Sequence, residues 1–226
     1  MASLIQYSYS NNQIEIYAPL KHGTRWLRVA GVDVIENSIQ LNVNGWEKIL
    51  QEKLFTEGKL INPNTYFVYR DTYEWFTSAI KTSAADAVYA FKYKGGDRDG
   101  MKGVWDGDVS NTKALITDNH HYNTNYWRKI KKLFEEVACT DIKLISLNDL
   151  SLFMKNNNLG TDYVKEIYHF NSNMEMIDGS IVDIIELTKN NDKELWDKYI
   201  IDTELEQDAL NSLVDKFKWK PNYKFI

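Results

Sequence analysis

A chain of 226 residues, 43% hydrophobic and 26% charged, has room for one large hydrophobic core or two small ones and has an ordinary globular composition. Its single cysteine, Cys139, excludes an internal disulfide framework and a cysteine-rich zinc site. The formal net charge of −5 argues against a general nucleic-acid coat protein, although a nuclease cleft needs only local Lys and Arg around its acids.

The N-terminal portion, residues 1–43, reads as β-rich. Ile14 to Tyr17, Trp26 to Ile35 and Ser38 to Val43 alternate or run apolar with β-branched residues enriched. A helix is predicted from about Asn44 to Phe55, where Trp46, Ile49, Leu50 and Leu54 share one face, and Gly58 ends it. Thr65 to Arg70 is a short strand of buried type. Asp71 then caps a helix, with Glu74 at the capping-box position, running through Trp75, Phe76 and Ile80 towards Ala85. Three strands are expected next, Ala87 to Tyr93, Met101 to Trp105 and Lys113 to Thr117, divided by turn residues at Gly95 to Asp97 and Gly107 to Asn111. Asn123 to Val137 is an amphipathic helix with Trp127, Ile130, Leu133, Phe134 and Val137 on one stripe. A strand from Asp141 to Leu147 follows, and Asn148-Asp149 caps another helix.

Residues 148–226 read as mainly helical around a strand at Ile181 to Leu187, with helical spacing over Lys193 to Tyr199 and Glu204 to Trp219. No repeat or low-complexity linker divides the chain, so residues 1–226 read as one domain. The class is α/β (mixed α+β), a central mixed sheet flanked by helices. No apolar run approaches the roughly 20 residues of a membrane helix, and Met1 to Ser10 lack the basic and apolar regions of a signal peptide. A cytoplasmic protein with no membrane partner is the expectation.

The chemistry-bearing residues concentrate in the middle. Asp97, Asp99, Asp106 and Asp108 alternate with Lys92, Lys94, Arg98, Lys102 and Lys113. Asp and Gly are also what tight turns use, so these acids read equally as hairpin-turn residues. Their density with interleaved cations exceeds what a turn requires, and the register of an EF-hand is absent. Asp118-Asn119-His120-His121 falls between a strand and a helix, where a ββα-metal nuclease holds its general-base His. An inert exposed pair is the plainer reading, because the Cys pairs and Gly-rich stretch of that class are missing. Asp141-Ile142-Lys143 has an acid-x-Lys form on a strand, and Glu186 to Lys189 has one spacer too many. No Walker loop or Gly-x-Ser-x-Gly elbow is present.

The order helix, strand, strand, strand, helix, strand between Asp71 and Leu147 resembles the αβββαβ core of the PD-(D/E)xK nuclease fold, shared by many type II restriction endonucleases. The resemblance covers about a third of the chain and places a catalytic core at residues 65–147. In that family the second strand presents an Asp, and the third presents an acid, one spacer and a Lys. Asp106 matches the Asp and Lys113 the Lys. The acid expected two residues before Lys113 is replaced by Asn111, for which Asp108 can substitute. The resemblance thus implies an Mg²⁺-dependent, site-specific endonuclease acting on double-stranded DNA as a homodimer. Asp106 and Asp108 would hold the metal, Glu74 would assist, and Lys113 would orient the attacking water. Lys21, Arg25, Arg28, His120 and His121 are candidate DNA contacts. The competing expectation is a non-enzymatic structural or interaction protein of a phage or bacterium, which accounts for the acidic charge and the imperfect motif.

Overall fold

The computed structural model describes residues 4–9, 14–19, 22–24, 27, 35–41, 46–80, 125–137, 141–159, 186, 189–190 and 193–220. Strands β1 (Leu4–Tyr9) and β2 (Ile14–Pro19) pair antiparallel, and β3 (Ile35–Leu41) runs antiparallel along the other side of β1. Helix α1 (Trp46–Leu54) leads into a small hairpin of β4 (Phe55–Thr56) and β5 (Lys59–Leu60). Its turn residues Glu57 and Gly58 have φ of 52° and 76°, the left-handed pair that a tight two-residue hairpin loop uses. Gly58 therefore turns a hairpin, beyond ending the helix.

Strand β6 (Thr65–Tyr69), helix α2 (residues 72–80), helix α3 (Tyr126–Glu136), strand β7 (Lys143–Ser146), helix α4 (Leu150–Asn156) and helix α5 (Lys193–Phe217) complete the described elements. The five-stranded sheet has the order β3-β1-β2-β6-β7. Its first half is antiparallel, and β2, β6 and β7 are parallel, with Tyr17 beside Phe67 and Phe67 beside Leu144. The expected α/β class with a mixed sheet is what the chain forms.

The three parallel strands are apolar on both faces, as strands covered on both sides must be. One face carries Tyr17, Phe67 and Leu144 against Leu50 and Leu54 of α1, Trp127, Ile130, Leu133 and Phe134 of α3, and Leu210 and Leu213 of α5. The other carries Ile16, Ala18, Tyr66, Val68 and Ile145 against Leu150, Phe153 and Met154 of α4. The result is three layers, helix on sheet on helix. Aromatic rings tie the layers. Tyr17 stacks on Phe67 with centroids 5.0 Å apart, Phe134 meets Phe67 edge-on at 5.5 Å, and Phe153 meets Tyr66 at 4.6 Å. Burying one such ring stabilises by roughly 2 to 3 kcal/mol.

Several sequence expectations need correction. Leu27, expected in a strand from Trp26 to Ile35, lies on a helical turn in which its N–H donates to the Gly23 carbonyl at 2.8 Å. Glu186, within the strand expected at Ile181 to Leu187, is helical. The two C-terminal helical segments are one continuous helix. Ile200 to Thr203 hold no breaker, and the Thr203 hydroxyl donates to the Tyr199 carbonyl four residues back at 2.7 Å. Asp149 occupies the N-cap position of α4 without capping it, because its carboxylate accepts from the Ser146 hydroxyl at 2.6 Å. The three strands expected at residues 87–93, 101–105 and 113–117 lie outside the described residues. Strand β7, read as the fourth strand of the core, has β6 on one side. On the other, the Leu144 carbonyl accepts from Trp219 N–H at 2.7 Å, in a short parallel bridge with Lys218.

Candidate functional site

Parallel strands align their carboxyl ends along one sheet edge, where ligand sites of open α/β sheets gather. Here that edge is formed by residues 22–24 after β2, 70–74 after β6, and 147–150 after β7. It is closely built. Leu147 N–H donates to the Tyr69 carbonyl at 2.7 Å, and Tyr7 Oη donates to the Thr24 carbonyl at 2.7 Å. Gly23, at φ +76°, leaves room for Leu147, whose Cδ1 would lie 2.6 Å from a Cβ added there. His22 is 3% exposed, with its ring edge-on to Trp127 at 5.9 Å and tilted against Trp75 at 6.5 Å.

Glu74 is the one predicted catalytic residue within the described part. Asp71 Oδ1 accepts from the Tyr73 and Glu74 N–H groups at 2.9 and 3.1 Å, so Asp71 caps α2 as its sequence position predicts. Glu74 does not complete the capping box. Its Oε2 instead accepts from Arg70 Nη2 at 3.5 Å, and its side chain is 62% exposed. That contact is long and solvated, which leaves the carboxylate open to further ligands. Asp106, Asp108 and Lys113 lie outside the described residues, as do Asp97, Asp99, Asn111, Lys21, Arg25, Arg28, His120 and His121. Among the described residues no group of three or more His, Cys, Asp or Glu is arranged to hold a metal.

The secondary acid-x-Lys candidates are placed elsewhere. Lys143 opens β7 opposite Tyr66, and its Nζ lies 5.3 Å from the Tyr66 ring centre. Asp141 and Lys143 therefore sit at the amino end of β7, across the sheet from Glu74. Glu186 and Lys189 pair with each other at 3.9 Å on an exposed helical turn.

The most elaborate polar arrangement was not singled out in the sequence. Glu206 of α5 is 3% exposed and reaches the first turn of α3. Its Oε2 accepts from Trp127 N–H at 2.5 Å and its Oε1 from Arg128 Nε at 2.6 Å, while Arg128 Nη2 also donates to Asp202 at 3.3 Å. Asn125, at the N-cap of α3, makes no side-chain cap bond, and Glu206 supplies that bond from another helix. Burial pushes the Glu206 carboxyl up, and Arg128 and the Trp127 N–H offset this only in part. Burial works to lower the Arg128 guanidinium, and Glu206 and Asp202 overcome it and raise it. A second clasp joins α5 to α2: Thr72 N–H donates to Gln207 Oε1 at 2.8 Å, and the Thr72 hydroxyl lies 3.0 Å from the Thr203 carbonyl. Glu206 falls on the stripe Thr203, Glu206, Leu210, Leu213, so a carboxylate in register with apolar residues was the available signal.

Three of the four cations on α3 form ion pairs within the chain, Lys131 being the fourth. Arg128 serves Glu206 and Asp202, Lys129 pairs with Glu47 of α1, and Lys132 lies 3.7 Å from Glu136. Burial works to raise the Glu47 carboxyl, but its bonds to Lys129 and to its own backbone N–H hold it below the usual range. No helix of the described residues is long and apolar enough to cross a membrane. Comparison with protein-family models, curated proteins and solved structures returned no match.

Proposed function

We propose that the chain is an Mg²⁺-dependent, site-specific endonuclease of double-stranded DNA, similar in class to the PD-(D/E)xK restriction enzymes and acting as a homodimer. The observation that carries this reading is Glu74. It is an exposed carboxylate that does not close the capping box on Asp71, at the carboxyl edge of the parallel strands and on the helix that leads into the Asp- and Lys-rich segment.

In this reading Asp106 and Asp108 supply the hard oxygen ligands that Mg²⁺ prefers, and Glu74 is the assisting carboxylate. Bound there, the ion supplies Lewis-acid stabilisation of the charge developing on the phosphate. Lys113 holds the attacking water, whose oxygen bonds to phosphorus as the ester P–O bond breaks, and the leaving oxygen takes up a proton. Two such sites related by a two-fold axis would cut both strands of a palindrome. Lys21, Arg25 and Arg28 would contact phosphates or groove edges, with His120 and His121 lining the same cleft. The test is incubation of the full chain with plasmid and viral DNA, with Mg²⁺ or with EDTA. Discrete fragments that require Mg²⁺ are expected. DNA left intact on substrates of varied base composition would instead favour a non-enzymatic interaction protein, a reading that the exposed Ile201 and Leu205 of α5 also suit.

A further inference from the structure

Helix α5 has two unlike faces. The inner one clasps α2 and α3 through Thr203, Glu206, Gln207, Leu210 and Leu213. On the outer one Ile201 is 57% exposed and Leu205 45% exposed, one helical turn apart. Tyr73 of α2, 41% exposed, adjoins this face through a hydrogen bond with Glu204. These three are among the four large hydrophobic side chains that stand exposed in the described residues, and the fourth, Ile61, follows the β4–β5 hairpin.

The rim of this apolar pair is acidic. Asp197 and Asp208 lie on the same helical face as Ile201 and Leu205, and Glu204 borders it; all three are exposed. Lys198 is a lone cation among them. Among the described residues no ion pair takes up Asp197, Glu204 or Asp208, unlike the acids Glu47 and Glu206 that serve the core. Three carboxylates around an exposed aliphatic pair make a surface complementary to one kind of partner: apolar residues spaced one turn apart, flanked by Lys or Arg.

We propose that this face of α5, with Tyr73 at its edge, docks a basic amphipathic helical segment of another protein. The aliphatic pair supplies the contact, and the acidic rim sets the register and rejects acidic segments. The inference does not depend on DNA cleavage, since none of these residues belongs to the proposed cleavage site.

The experiment uses the full chain and a fluorescein-labelled peptide of about 15 residues, long enough for marginal helicity, with Leu on one face and Lys on the other. Fluorescence anisotropy is read for this peptide and for a copy with Glu in place of Lys. Binding of the Lys peptide alone is expected. It should weaken about tenfold in the double variant Ile201→Ser/Leu205→Ser, and also in Asp208→Lys, with Tm unchanged because these side chains are exposed. The proposal is overturned if the double variant binds as tightly as the natural chain, which would leave charge alone as the cause. It is equally overturned if neither peptide binds, or if the natural chain self-associates through this face and the double variant does not.

Discussion

Two glutamates, Glu206 in the middle of α5 and Glu74 in the first turn of α2, have opposite fates. Glu206 is almost fully buried and bonds one backbone N–H and one guanidinium across a helix interface. Glu74 is 62% exposed, and one guanidinium at 3.5 Å is its hydrogen-bonded partner among the described residues. The first carboxylate is committed to the fold: removing it leaves the Trp127 N–H without this acceptor and takes one of its carboxylate partners from the half-buried Arg128 guanidinium. The second contributes little to the fold and is therefore available for chemistry. Burial and partner count separate the roles, where residue type does not.

The largest effect expected around Glu206 comes from the buried ring of the residue whose backbone N–H it accepts. Trp127 is 2% exposed, so Trp127→Ala should cost about 4 kcal/mol, lowering Tm by roughly 10 °C. A loss below about 1 kcal/mol in urea unfolding would mean that α3 is not anchored as described. Next comes the carboxylate itself. Glu206→Ala should cost about 2 to 3 kcal/mol, through the unsatisfied Trp127 N–H and the loss of the main Arg128 partner. Glu206→Gln keeps one acceptor oxygen, enough for the Trp127 N–H, but turns an amide NH2 towards the Arg128 guanidinium, so it should cost about 1 to 2 kcal/mol, less than Glu206→Ala. Equal losses in the two variants would show that the bond to the Trp127 N–H, the one that Gln can keep, does not hold α3 to α5.

The same pair of variants carries a pH signature. The folded-state pKa of Glu206 is raised, so its contribution to stability is full below the unfolded carboxyl pKa of about 4.3 and falls as pH rises through the folded value. Glu47 behaves oppositely. Its folded pKa is lowered, so its contribution is present above the unfolded pKa and is lost as pH falls through the folded value. Urea unfolding from about pH 2 to about pH 8, a range that spans both sides of the unfolded carboxyl pKa, should therefore show that Glu206→Gln removes a decline in stability above that pKa, whereas Glu47→Gln removes a loss below it. Slopes of the same sign in both variants would contradict the assignment. The smallest stability effect belongs to Glu74. Glu74→Gln should stay within about 0.5 kcal/mol of the natural chain while cutting Mg²⁺-dependent cleavage at least about tenfold. A stability loss comparable to that of Glu206→Ala would place Glu74 in the fold and not in the site.

Much of the architecture was legible in the residues. The stripe Trp127, Ile130, Leu133, Phe134 set α3 against the sheet, the run Thr65 to Tyr69 formed β6, and Asp71 capped α2. These signals are local, repeating at 3.6 or 2 residues or sitting at one cap. Lateral strand order is not local. Nothing in Tyr66 to Tyr69 announces that β7, more than seventy residues later, will lie beside it in parallel, or that β2 will lie on its other side. The helical turn at Leu27 was hidden because its apolar neighbours suit a strand as well. Glu206 was passed over because a charged residue in a long mixed-charge helix reads as solvated until its register with Leu210 and Leu213 is weighed. Of the proposed site, Glu74 was read correctly as a first-turn residue, though its bond to Arg70 replaces the capping box.

The most direct test of the central claim compares cleavage of DNA by the natural chain and by Asp106→Ala, each with Mg²⁺ and with EDTA, alongside their Tm values. The account predicts discrete Mg²⁺-dependent fragments from the natural chain and none from Asp106→Ala at an essentially unchanged Tm. Fragments from Asp106→Ala at the natural rate, or none from the natural chain under any condition, would contradict it.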